Sequence, residues 1–100
     1  MQSVSVGEEK IVVRMFVRHH VADYAAWREV YDGLDRARLE LGAACHDVYQ
    51  ALGDPNDVTV WHDFASAEAA ESLASSPQLR DAMAQAGVQG RPDVWFATAA

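Results

Sequence analysis

From Ile11 to His20 apolar and polar residues alternate one by one. Ile11, Val13, Met15 and Val17 fall on one face, followed by His19. Val12, Arg14, Phe16, Arg18 and His20 fall on the other. A period of two is that of a strand, and the first face is core. The period then changes. Asp23 is placed to cap a helix by accepting a backbone hydrogen bond. Tyr24, Trp27, Tyr31, Leu34 and Leu41, with Val30 and Ala37 beside them, recur at helical spacing. Arg28, Glu29, Asp32, Asp35, Arg36 and Glu40 take the opposite side. Gly33 marks a close approach or a local kink, and Gly42 ends the helix in the left-handed conformation.

Ala44 to Leu52 is a second, weaker strand. The turn formers from Gly53 to Asp57 join it to a third, Val58 to Phe64. There Val58, Val60, His62 and Phe64 share one face. Ser66 caps a second helix, and Ser76-Pro77 starts a further helical piece with Leu79 and Met83 inward, closing at Gly87. Gly90-Arg91-Pro92 reads as a turn before a last strand, Asp93 to Thr98, with Val94 and Phe96 on one face and Trp95 on the other. Residues 1–9 read as a flexible N-terminal segment, and 10–100 as a single domain. The order strand, helix, strand, strand, helix, strand predicts an α+β, ferredoxin-like fold. Its four-stranded antiparallel sheet carries both helices on one face.

The uncovered face would then hold Phe16, Trp61 and Trp95 beside Arg14, Arg18 and Asp63. Two tryptophans on a naked sheet form a sticky patch, so a homodimer packed sheet to sheet is expected. Arg14 and Asp63, on neighbouring strands, form an ion pair on that face.

Composition narrows the partners. Eight basic against fifteen acidic residues leave a net charge of −7. Nucleic acid and anionic membrane surfaces are poor partners for such a chain. No apolar run is long enough to span a bilayer, and the first nine residues lack the pattern of a secretory signal. Cys45 is the single cysteine, so no intrachain disulfide forms. A cytoplasmic protein is expected.

Four histidines are candidates for chemistry. His62 stands in an apolar row facing the helices. Burial there keeps it neutral near pH 7, as a general base requires, unless a backbone carbonyl simply satisfies it in the core. His19 continues the helix-facing row and reaches toward Tyr24, whereas His20 points to the other face. His46 lies on the second strand, facing undetermined. No pair shows His-x-x-x-His spacing, so no metal is expected. Cys45 reads as a small buried thiol rather than a nucleophile paired with His46. Tyr24, Trp27, Tyr31 and Phe64 are core residues that wall any cavity beneath the helices, with the tyrosine hydroxyls able to orient an oxygenated substrate.

Several stretches carry a resemblance. Val17-Arg18-His19 is followed by Val21-x-Asp23-Tyr24-x-x-Trp27, and Asp54-Pro55-Asn56-Asp57-Val58 precedes the third strand. Ser76-Pro77-x-Leu79-Arg80-x-Ala82-Met83 leads to Ala86-Gly87-Val88 and Gly90-x-Pro92. Over roughly residues 10–98 the chain resembles the dimeric α/β-barrel superfamily. That group includes cofactor-free antibiotic biosynthesis monooxygenases acting on anthrones, small polyketide cyclases and stress-responsive barrel proteins. The resemblance implies a homodimer, a small aromatic or polyketide-like ligand and no cofactor. The leading expectation is acid–base catalysis of an aldol-type cyclisation or rearrangement. His62 would be the base, with His19 or Tyr24 stabilising the enolate, and Trp27, Tyr31, Phe64 and His46 binding substrate. A cofactor-free monooxygenase of anthrone-like substrates is the alternative, and a non-enzymatic ligand-binding or stress-linked protein the third reading. Against the monooxygenase, Phe64 stands where close relatives often carry tryptophan, and the first strand and Val58–Phe64 contain no asparagine.

Overall fold

A computed structural model describes residues 12–100. The expectations for residues 1–9, Lys10 and Ile11 lie outside the described residues. The elements run β1 (Val13–Val21), α1 (Tyr24–Gly33), α2 (Asp35–Glu40), β2 (Cys45–Ala51), β3 (Asp54–Phe64), α3 (Ala67–Ala74), α4 (Pro77–Gln85) and β4 (Val88–Ala97). The strands form one antiparallel sheet in the order β2-β3-β1-β4, the ferredoxin-like topology, and the helices pack on one face.

The alternation in β1 has its expected consequence. Met15, Val17, His19 and Val21 are buried. Across the sheet they continue in rows that face the helices. His46, His62, Met15 and Phe96 form one row in register. Val48, Val60, Val17 and Val94 form the next, and Gln50, Val58 and His19 a third. Trp27 and Tyr31 from α1 and Ala70 and Leu73 from α3 close over these rows. Burying such side chains contributes roughly 1.5–3 kcal/mol for each large one.

The predicted caps form. Asp23 accepts a hydrogen bond from the Ala26 amide at 2.9 Å, Ser66 from Ala69 at 3.1 Å, and Ser76 from Leu79 at 3.1 Å, with Pro77 opening α4. Gly42 and Gly87 end helices with φ of 98° and 82°.

Of the two readings of Gly33 the local break holds and the close approach does not: a Cβ there would meet nothing within 4 Å, and it is the last residue of α1, where the helix breaks. Four expectations change. Beyond that break Ala37 and Leu41 are exposed, and Arg38 is half-buried instead. The turn before the third strand shrinks to Leu52-Gly53, and Asp54 to Asp57 already belong to β3. Pro55 is accommodated because the β2–β3 register shifts beside it, between Gln50 and Ala51. Gly90-Arg91-Pro92 is likewise no turn. It is a bulge inside β4, where Gly90 takes φ 72° and the register with β1 shifts between Arg18 and His20. An edge strand tolerates both the bulge and a proline that donates no hydrogen bond. Finally, Cys45 is exposed, since it starts the edge strand β2 opposite Asp63 on the outward face.

The outward face carries the expected Arg14–Asp63 pair, bidentate at 2.7 and 3.0 Å. Arg18–Asp57 and His20–Asp54 repeat the pattern along β1 and β3. Between them Phe16 stacks on Trp95 at 5.2 Å, and the Arg14 guanidinium lies 3.6 Å over the Trp61 ring.

Candidate functional site

Between the sheet and the helices lies a cavity of about 80 Å³. The floor is Met15, Val17, Val60, His19 and His62 from β1 and β3. Trp27, Val30 and Tyr31 from α1 form one wall, and Leu73, Leu79 and Met83 from α3 and α4 the other. Leu34 and Arg38 stand at one end. The cavity surface is almost wholly apolar, although His19, Tyr31, Arg38 and His62 are among the residues around it. An apolar cavity of about 150 Å³ holds a benzene molecule, so this one grips a single ring at most unless side chains move. Met83, unbranched and with three rotatable bonds, is suited to give way.

His62 is 5% exposed, and Tyr31 Oη and His62 Nε2 are hydrogen-bonded at 3.0 Å. The partner is thus a side chain rather than a backbone carbonyl. His62 Nδ1 is buried with no partner among the described residues. Burial lowers the imidazole pKa to about 4, and the positive charge of Arg38 pushes the same way. Burial raises the Tyr31 hydroxyl to about 12, although Arg38 and Arg28 pull it down. Both groups are therefore neutral at pH 7. One N–H···O or O–H···N bond joins them, and which atom carries the proton is set by what the other nitrogen meets.

Arg38 was missed by the sequence reading. Its guanidinium donates to the Tyr31 carbonyl at 2.6 Å and stacks 3.7 Å over the Tyr31 ring. Its Nε is buried without a partner among the described residues. A signal was present: Tyr24, Tyr31 and Arg38 are seven residues apart, two helical turns, and so share a face. A fixed positive charge beside the tyrosine favours any negative charge that develops there.

His19, 7% exposed, has both ring nitrogens buried without partners among the described residues. Burial lowers its pKa to about 4. Trp27 meets it edge-on at 5.6 Å and stacks on Tyr31 at 4.8 Å. His46 faces the helix side opposite His62, 6.0 Å from it and 5.7 Å from Tyr31 between ring centres, but it is exposed and outside the cavity lining.

The structure thus brings His62, His19, Trp27 and Tyr31 around one cavity. Tyr24 and Phe64 do not line it. The Tyr24 hydroxyl accepts from Arg28 at 3.2 Å, and Phe64 is buried in the core. The lengthened β3 does contain an asparagine, Asn56. Its side-chain carbonyl accepts from the Tyr24 amide at 2.9 Å, so it braces the start of α1. Among the described residues no three His, Cys, Asp or Glu side chains converge as metal ligands, and no helix is long and apolar enough to cross a membrane.

No family model matches the sequence, and no curated protein does. Solved structures do match. The cofactor-independent oxygenase SnoaB from Streptomyces nogalater superposes with a TM-score of 0.73 at 14% identity, over 90% of this chain and 94% of that one. A conserved protein from Methanosarcina mazei Go1 gives 0.72 at 12% identity, over 92% and 96%. Rv0793 from Mycobacterium tuberculosis gives 0.64 at 20% identity, over 86% and 92%. The chain shares the fold of these proteins, a four-stranded antiparallel sheet with helices on one face.

Proposed function

We propose, from a fold shared with a cofactor-independent oxygenase, that this protein oxygenates an anthrone-like aromatic substrate without a cofactor. The observation that carries the reading is the neutral His62–Tyr31 pair at the edge of an apolar cavity. In this reading His62 Nε2–H donates to Tyr31 Oη, which leaves Nδ1 as the free base. Nδ1 removes a proton from a CH₂ group activated by a carbonyl. Tyr31 donates its own O–H to the oxyanion, and Arg38 favours the charge that gathers there. The carbanion passes an electron to O₂, and recombination forms the C–O bond of a peroxide. Loss of the second C–H proton breaks the O–O bond. One CH₂ and one O₂ become one C=O and one H₂O. The apolar walls keep water from reprotonating the carbanion.

A pKa of about 4 makes His62 a weak base, so the C–H must itself be acidic. A doubly benzylic CH₂ conjugated to a ketone meets that need. The fold match reverses the order of readings drawn from the sequence, where cyclisation stood first. Cyclisation keeps one support: the same pair supplies both a base and an acid, which is all an aldol closure requires. Turnover of anthrone with and without oxygen separates the two. The oxygenase consumes one O₂ per quinone formed and stops under argon. A reaction that runs at full rate under argon contradicts it.

The reading includes a second copy of the chain. The outward row Trp61, Phe16 and Trp95, with Trp95 44% exposed, is the surface on which two sheets would meet.

A further inference from the structure

We infer that the groove between α4 and β4 is the mouth of the cavity, and that Leu79 and Met83 are the gate that sets what enters. The inference rests on the cavity being the site and on nothing in the oxygenation chemistry. The starting observation is a shared wall. Beside the cavity runs an open groove of about 310 Å³, lined by Ser76, Arg80 and Ala84 on the helical side and by Val88, Pro92 and Val94 on the strand side. Leu79 and Met83 line both spaces, and no other described residue does. They stand four residues apart on α4, so their side chains are neighbours on one helix face and form a single partition. The bulge in β4 keeps the groove open on its strand side: a Cβ at Gly90 would meet nothing within 4 Å.

The other boundaries of the cavity are held in place. Its floor is the hydrogen-bonded sheet. Trp27 and Tyr31 are buried and stacked at 4.8 Å, and Leu73 is buried. At the end lined by Leu34 and Arg38, the guanidinium is fixed by its bond to the Tyr31 carbonyl and its stacking on the Tyr31 ring. The partition is different. α4 buries none of its residues, and Leu79 and Met83 are only half-buried. An element with so little buried apolar surface is among the first parts of a fold to move. Met83 also has three rotatable bonds with which to swing aside. Anything larger than one ring enters only as these two side chains give way, so they set the size of the substrate as well as its path.

The test is the exchange of fluorobenzene, a single apolar ring, into and out of the full chain, followed by fluorine NMR exchange spectroscopy. Ala84→Phe sets a ring in the groove from an exposed position outside the cavity lining. It is expected to slow entry and exit alike by about tenfold or more, with the dissociation constant within about twofold of the wild type, because a ring set against packed side chains hinders their turning and leaves the closed site unaltered. Met83→Ala, which thins the partition, is expected to speed both steps. Ala37→Phe, also exposed but next to Arg38, should leave both rates unchanged. Wild-type rates in Ala84→Phe, slowing by Ala37→Phe instead, weaker binding in Ala84→Phe at an unchanged entry rate, or no binding of fluorobenzene overturns the inference. Binding is read without turnover. A working gate in a protein that takes up no oxygen with anthrone faults the proposed reaction and leaves the mouth standing; oxygen uptake with exchange rates indifferent to Ala84→Phe does the reverse.

Discussion

At the scale of single residues, folding buries two histidines as neutral bases, and this has a pH signature. In the unfolded chain each takes a proton near pH 6.5; in the fold each waits until about pH 4. Between those values the unfolded state binds more protons. Stability is therefore lost as pH falls through that window, on the order of 3 kcal/mol per histidine. Urea unfolding midpoints should drop between pH 7 and pH 4.5, and less steeply in His19→Leu. A flat profile would contradict the burial of these rings. Tyr31→Phe is expected to cost about 1–3 kcal/mol by leaving His62 Nε2 unpaired. Adding His62→Leu to it should cost less than the sum of the single changes, a coupling that a double-mutant cycle by thermal unfolding measures. His62 was legible in the sequence because a polar residue interrupted an alternating apolar row. Tyr31 was legible only as a wall, because hydrogen bonding between residues 31 positions apart depends on how a helix lies on a strand. Arg38 was passed over because a charge on an apolar helical stripe reads as solvent-facing, although its stem packs on Tyr31 with the head bonded to backbone.

At the scale of elements, caps and alternation fixed the elements well, and glycine and proline misled. Asp23, Ser66 and Ser76 each start the helix that their side chains promised. The two stretches read as turns instead became the start of β3 and a bulge in β4, because an irregular strand uses the same residues as a turn. Which outcome occurs depends on pairing with a distant strand, here β1 for both. The glycines divide accordingly. Gly33→Ala, in open space and without a positive φ, should raise stability by up to about 1 kcal/mol in thermal unfolding. Gly87→Ala, at φ 82°, should lower it by about 1–2 kcal/mol. If both shift stability alike, the break in the first helix has been misassigned.

At the scale of the whole molecule, the sheet separates two kinds of surface. One face is mostly apolar and holds the buried imidazoles of His19 and His62; the other is laced with ion pairs around aromatic rings. The four-stranded topology was legible from element order alone, whereas the cavity was not, since its volume depends on how Trp27, Tyr31 and Met83 pack. If the aromatic face is a dimer seam, Trp95→Glu should convert the chain to a folded monomer in light scattering, with circular dichroism unchanged. A wild type that is monomeric throughout would remove the seam from the account. The chemistry has its own test, oxygen uptake with anthrone by the wild type and by His62→Leu, each confirmed folded. We expect steady uptake in the wild type and a loss of at least about a hundredfold in the variant, the contribution of a positioned base. Equal rates in the two proteins, or no uptake in either, would contradict the assignment of His62 as the base of a cofactor-free oxygenase.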